Sequence, residues 1–232
     1  MTKRAKEQQY DIQFDALQAN GPVVLGPTPS HLWRTDPRHL CFLLSRYKFC
    51  SKLLAGKKNV LEIGCGDAFG TRLVLQTVKQ VHGIDFDPLF INWANKQYGR
   101  EKLHASFEVL DITKGMPKNA PYDAAYALDF IEHIPHKSED KAMANICRAL
   151  HDDAVCVIGT PNITASSYAG RDSAMGHINL KSAESLQTLL GKYFKNIFIF
   201  CMNDEVMHTG FHPMAHYLFG LGVGNKNREK RG

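Results

Sequence analysis

Residues Asn59 to Gly70 read NVLEIGCGDAFG, and the fold follows from how that stretch is punctuated. An apolar run (Val60, Leu61, Ile63) carries one acid, Glu62, and ends in a turn where Gly64 and Gly66 put no side chain in the way. A glycine-rich turn between a buried strand and a helix lets a flat ligand touch main-chain N–H groups, with the positive end of the helix aimed at it. The dinucleotide fingerprint G-x-G-x-x-G would need a third glycine where Phe69 stands, with Gly70 one place late, so that match is poor. A pyrophosphate would also meet Asp67 in the loop and Glu62 close by, two carboxylates that repel it.

A ligand without phosphate removes that conflict. S-adenosylmethionine (SAM) offers cationic ammonium and sulfonium groups, a ribose diol that suits an acid, and an adenine that needs an apolar slot. The next apolar run, Val81-His82-Gly83-Ile84, ends in such an acid at Asp85, followed by Phe86, which can lie against the adenine.

Outward from this centre, short apolar segments alternate with helical ones. Helices are expected over 71–80, 87–98, 138–150 and 181–190, and strands over 81–84, 107–110, 122–128, 154–158, 196–201 and around 205–210. The alternation predicts a Rossmann-like, doubly wound α/β fold whose mostly parallel sheet is covered by helices on both faces. Upstream, Asp36-Pro37 reads as a helix start, with Asp36 as N-cap. Residues before it read as loop because Gly21, Pro22, Gly26, Pro27 and Pro29 break the pattern. Three regions are expected: residues 1–56 as a lid over the acceptor, 57–218 as the ligand-binding domain, and 219–232 as a disordered basic tail.

Composition narrows the class. A chain of 232 residues, 44% hydrophobic and 22% charged, can bury one full core. No apolar run is long enough to span a bilayer, and no hydrophobic stretch backs the basic N-terminal residues, so a cytoplasmic enzyme is expected. The six cysteines show no C-x-x-C spacing and read as buried reduced thiols. A net charge of +5, partly in the tail, is mild for a nucleic-acid binder.

In an open sheet of this kind ligands lie beyond the carboxyl ends of the strands. Those ends carry Glu62, Asp85, Asp111-Ile112 and the run Leu128-Asp129-Phe130-Ile131-Glu132-His133. Glu62-x-Gly64-x-Gly66, the strand ending at Asp85, Asp111-Ile112, Tyr122-Asp123 and the Glu132-His133 pair together resemble the ordered motifs of class I SAM-dependent methyltransferases, with Ala68 where that family has its third glycine. The resemblance implies a seven-stranded sheet with a reversed last hairpin. It also implies SAM contacts from Glu62, Gly64, Cys65, Gly66, Asp67, Asp85, Phe86, Asp111, Ile112 and Leu128.

Methyl transfer to a hydroxyl leaves the protein to position the acceptor and remove its proton. His133, with Glu132 beside it, and His177 in the Gly176–Leu180 loop are the candidates. A metal reading competes: Asp129, Glu132, His133 and His177 are similar to the E-x-x-E-H plus distant histidine of ubiquinone-pathway and small-RNA 3′-end methyltransferases, which use oxygen and imidazole ligands for a divalent ion. The shortened acid at Asp129 makes the base the preferred reading and a metal the less favoured one. Trp33, Arg34, Arg46 and Tyr47 are the candidate substrate contacts, the arginines for phosphate. The expected acceptor is a small polar metabolite or a sugar, including nucleotide-linked or polysaccharide sugars; RNA methylation and binding of SAM without catalysis are the alternatives.

Overall fold

The computed structural model describes residues 4–101 and 103–226. Its elements run α1 (Asp11–Asn20), α2 (Pro27–Thr35), α3 (Pro37–Leu53), β1 (Asn59–Ile63), α4 (Thr71–Val74), β2 (Gln80–Asp85), α5 (Pro88–Glu101) and β3 (Ala105–Val109). They continue with β4 (Tyr122–Leu128), α6 (His136–Arg148), β5 (Leu150–Pro161), α7 (Arg171–Gly176), α8 (Ala183–Gly191), β6 (Phe194–Asn203), β7 (Val206–His208) and β8 (Tyr217–Asn225). Short 3-10 turns at Ile131–His133, Ile163–Tyr168 and His212–Met214 follow strands or join them on the ligand side.

One sheet holds all eight strands in the order β3-β2-β1-β4-β5-β8-β6-β7. The first five are parallel, as the covered-sheet expectation requires. β8 then runs antiparallel between β5 and β6, and β7 pairs antiparallel to β6 at the edge. Among the described residues the count is therefore eight instead of seven, the addition being the three-residue edge strand.

Alternation along β4 shows why the sheet needs helices on both faces. Ala125 and Ala127 enter the core built with Met143 and Ile146 of α6 and Leu186 and Leu190 of α8. Ala124, Tyr126 and Leu128 enter the opposite core with Tyr47 and Cys50 of α3. Each fully buried large side chain contributes about 1.5–3 kcal/mol relative to exposure, so neither face can be left uncovered.

Four expectations need correction. Residues before Asp36 form two helices; the glycines and prolines punctuate α1 and α2 instead of dissolving them, and Pro27 occupies the first position of α2. The helix expected over 71–80 closes after Val74, because the chain turns back to pair with 56–58 through Thr77 O to the Gly56 N–H and the Lys79 N–H to Lys57 O. The segment from 219 is not a loose tail as far as residue 226: Tyr217 to Asn225 is a strand with neighbours on both sides. Asn225 donates to Cys147 O at 2.6 Å and Lys226 to Gly191 O at 2.6 Å. The remainder of the expected tail, 227–232, lies outside the described residues. Asp36 precedes Pro37 as expected, but its side chain makes no cap; its carbonyl accepts from the His39 N–H instead.

Candidate active site

The loop after β1 turns with Gly64 at φ 70°, Gly66 at φ 52° and Ala68 at φ 60°, a left-handed sequence that glycine tolerates and alanine accepts at a cost. Most of its amides are spent internally: Gly64 and Cys65 donate to Ile84 O, Gly66 to Asp85 Oδ2 at 3.0 Å, and Ala68 to Cys65 O. The expected cradle of free N–H donors is therefore not what this loop offers, and α4, one turn long, adds no significant dipole. What remains is close approach of the backbone: a Cβ on Gly66 would meet nothing within 4 Å. Such a surface suits a ligand carrying positive charge better than a phosphate.

Asp85 stands at the end of β2 with Oδ1 accepting the Asp87 N–H at 2.9 Å and Oδ2 accepting Gly66. Each oxygen keeps a lone pair, so the carboxylate can take a pair of vicinal hydroxyls. Phe86 beside it is exposed. Asp111 accepts from the Thr113 N–H at 3.0 Å and Oγ1 at 2.6 Å and pairs with Lys114 at 2.9 Å. Partial burial works against its ionisation, but these bonds outweigh it and hold the carboxyl below the usual range. Ile112 and Leu128 are buried beside these ends, and Cys65 packs inward.

Glu62 does not reach the ligand surface. It is 2% exposed and accepts from Thr71 Oγ1 at 2.5 Å, which locks the loop to α4. Burial pushes its carboxyl up to about 7, against the hydroxyls of Thr71, Tyr126 and Tyr47, which pull it back. A folded-state value above the unfolded one means the native chain holds a proton that the unfolded chain has released, so stability falls as pH rises from about 4.5 to about 7. Glu62→Gln should flatten that slope, recovering on the order of 3 kcal/mol at pH 8 relative to pH 5, as read by urea denaturation at the two pH values.

Asp67, also buried, accepts the Thr28 N–H at 2.8 Å, so the cradle itself holds the first turn of α2. Gln97 of α5 donates to Val24 O at 3.0 Å and secures the same segment. Trp33 and Arg34 lie on α2 and are exposed. The other two expected substrate contacts are internal. Tyr47 is buried under the loop, its ring filling the space a side chain on Gly70 would need. Arg46 places Nη1 2.9 and 2.7 Å from the two oxygens of Asp129 and lies 4.0 Å over the Tyr217 ring. It is therefore committed within the protein, and Asp129, at φ 52°, is its counter-ion. That pairing removes Asp129 from the expected metal set, whose remaining members do come together.

Glu132, His133 and His177 each offer a ligand atom within 4.8 Å of the others. His133 is exposed, and its Nδ1 lies 3.0 Å from Gly176 O; a carbonyl only accepts, so Nδ1 carries the proton and Nε2 keeps a lone pair. The His177 ring packs edge-on to it with centroids 5.2 Å apart. Burial and the neighbouring His133 hold the His177 imidazole below its ordinary value. Glu132 is fully buried; Oε2 accepts from Thr160 Oγ1 at 3.0 Å, and Oε1 has no partner among the described residues. Burial, reinforced by Asp129, raises its carboxyl to about 8. Of the more distant histidines, His208 bonds Asn203 at 3.0 Å and the Gly210 N–H at 3.1 Å.

Residues 60–153 match the methyltransferase domain family. A probable S-adenosylmethionine-dependent methyltransferase of Mycobacterium tuberculosis is 28% identical over 137 residues, covering 57% of this chain and 47% of the relative. The chain thus spans about half the length of the curated relatives it matches first. In structure it is similar to the methyltransferase domain of bacterial CtHen1 (TM-score 0.66, 17% identity, 79% of this chain and 99% of the other). It is also similar to the N-methyltransferase NodS of Bradyrhizobium japonicum, solved with S-adenosyl-L-homocysteine (TM-score 0.61, 19% identity, 90% and 97%). The matched region and the fold together support a class I SAM-dependent methyltransferase domain.

Proposed function

We propose that the chain transfers a methyl group from SAM to a hydroxyl of a small polar metabolite or a sugar, with His133 as general base. The carrying observation is the His133 Nδ1 contact with Gly176 O at 3.0 Å, which leaves Nε2 as an acceptor beside the end of β4. The residues fit the cofactor: an acid with spare lone pairs at Asp85, a loop whose donors are mostly spent, and apolar Ile112 and Phe86 nearby. SAM, when bound, supplies a methyl group already activated on a sulfonium. The chain's own part is to hold the acceptor in line and to accept its proton at His133 Nε2.

The acceptor side supports a neutral substrate. Between Asn162 and Leu180 the sequence holds one arginine and no lysine, and Tyr168, Met175, Ile178, Phe211 and Met214 are exposed there and in the facing turn. A polyanion such as RNA would ask for more cations. The clamp of Asp67 on α2 supports residues 1–56 as a lid carrying Trp33 and Arg34. No helix among the described residues is long and apolar enough to cross a membrane.

One observation favours a second reading. Glu132 Oε1 is buried without a partner next to two imidazoles, a donor set that fits a divalent ion able to acidify an acceptor hydroxyl. A methyl-transfer assay over polar hydroxylated acceptors, with and without a strong chelator, separates the two. With His133 as base, turnover is unchanged by the chelator. Turnover abolished by chelation and restored by a divalent ion would replace the base with the metal.

A further inference from the structure

Glu139 on α6 and Lys181 just before α8 form an ion pair in which both side chains are buried, 4% and 6% exposed. Asn179 closes the group. Its Nδ2 donates to Glu139 Oε2 at 2.9 Å and to Ile131 O at 3.3 Å, and its Oδ1 accepts from Lys181 Nζ at 2.8 Å. Two charges taken out of water are costly, and a buried pair is often no more stable than apolar residues of the same volume. The methyltransferase chemistry does not touch any of the three.

The position of the group supplies a reason. Glu132 O accepts the N–H groups of Ile178 and Asn179 at 2.8 and 3.0 Å, so the 176–181 loop is stitched to the Ile131–His133 turn along its backbone. Lys181 O accepts the Ile163 N–H at 2.9 Å, which joins the loop to the end of β5 as well. The loop thereby presents Gly176 O to His133 Nδ1 and His177 to the His133 ring.

We infer that Glu139, Lys181 and Asn179 are positioning residues: their buried network holds the Gly176 carbonyl where it fixes the His133 tautomer, and so keeps Nε2 available as the acceptor. This rests on the reading of His133 as base. Removing one partner alone would strand a buried charge and unfold part of the chain, so the informative change is Glu139→Gln with Lys181→Met, which removes both charges at similar volume.

The experiment reads two quantities on chelator-treated protein whose melting confirms that it is folded: the His133 tautomer from ring nitrogen shifts in NMR, assigned by the signal missing in His133→Ala, and kcat against SAM affinity. The expected result is a shift of neutral His133 from the Nδ1–H form to a mixture, a fall in kcat of about 10²-fold, and unchanged SAM affinity. A changed tautomer with unchanged kcat supports the network and overturns the base instead. An unchanged tautomer in the folded double variant overturns the inference. Should the double variant not fold, Asn179→Ala keeps the ion pair and reads the same quantities, and an unchanged tautomer there overturns it equally.

Discussion

His133→Ala should lower kcat by about 10²- to 10⁴-fold, the range a positioned general base contributes, while SAM binds as in the wild type. The separation follows from the layout. His133 lies past the end of β4 with its Nδ1 engaged by Gly176 O, whereas the proposed cofactor contacts come from the loop after β1 and from Asp85 on β2. His177→Ala should cost less, because His177 meets His133 edge-on and does not replace its proton-accepting nitrogen. Single-turnover measurement of methyl transfer beside equilibrium SAM binding reads both numbers. Undiminished turnover in His133→Ala would leave proximity as the chain's only catalytic device.

The second large effect is on stability. Arg46→Leu removes a guanidinium that is bonded to both oxygens of Asp129 and stacked on Tyr217. Asp129 would keep its charge beside Glu132 with no counter-ion, at a residue already in a left-handed conformation. Breaking this partly buried pair from one side should cost about 1–3 kcal/mol, and urea denaturation should show it as a lower midpoint with an unchanged slope. Arg46→Leu with Asp129→Asn should recover a large part of the loss, since no charge is then stranded. A single variant as stable as the wild type would show that the pair is only a surface contact.

The parallel half of the fold was legible because its signals are local. Short apolar strands ending at Glu62-Ile63, Asp85, Val109 and Leu128, each followed by a turn or a helix, state both the alternation and the ligand side. β8 was hidden because its sequence, Tyr217-Leu-Phe-Gly-Leu-Gly-Val-Gly-Asn225, alternates apolar residues with glycines that read as breakers. Packing explains them: a Cβ on Gly220 would lie 2.3 Å from Leu190 Cδ1, and one on Gly222 would lie 2.5 Å from the Phe194 ring. The strand is glycine-rich because α8 and the start of β6 press on it, a long-range fact that no local pattern carries.

The site divided in the same way. The placement of Gly64, Gly66 and Asp85 at the carboxyl ends of β1 and β2, and of Glu132 and His133 past β4, was readable from spacing, and His177 does meet His133. The roles of Arg46, Tyr47, Glu62 and Asp129 were not. A basic helix upstream of a ligand loop looks like a substrate surface until Arg46 is seen paired with an acid 83 residues away. Glu62 lies within the motif, but its strand turns it toward Thr71 and Tyr126, where its buried carboxyl ties the loop to α4. The positioning group of Glu139, Asn179 and Lys181 left no readable spacing either, since it joins α6 to a loop some 40 residues on.

What the cradle binds is tested most directly by titration calorimetry of the wild type and Asp85→Ala. The wild type should bind SAM and S-adenosyl-L-homocysteine and ignore NAD, because the loop amides bonded within the protein and the nearby acids give a pyrophosphate little to hold; the proposed contact of Asp85 with a ribose diol is open to either ligand. Asp85→Ala should weaken SAM binding by at least about tenfold, the loss of one or two charge-assisted hydrogen bonds, together with a modest fall in melting temperature because the Gly66 and Asp87 N–H groups also lose their acceptor. A chain that binds NAD and not SAM, or one that binds SAM equally well without Asp85, would contradict this reading.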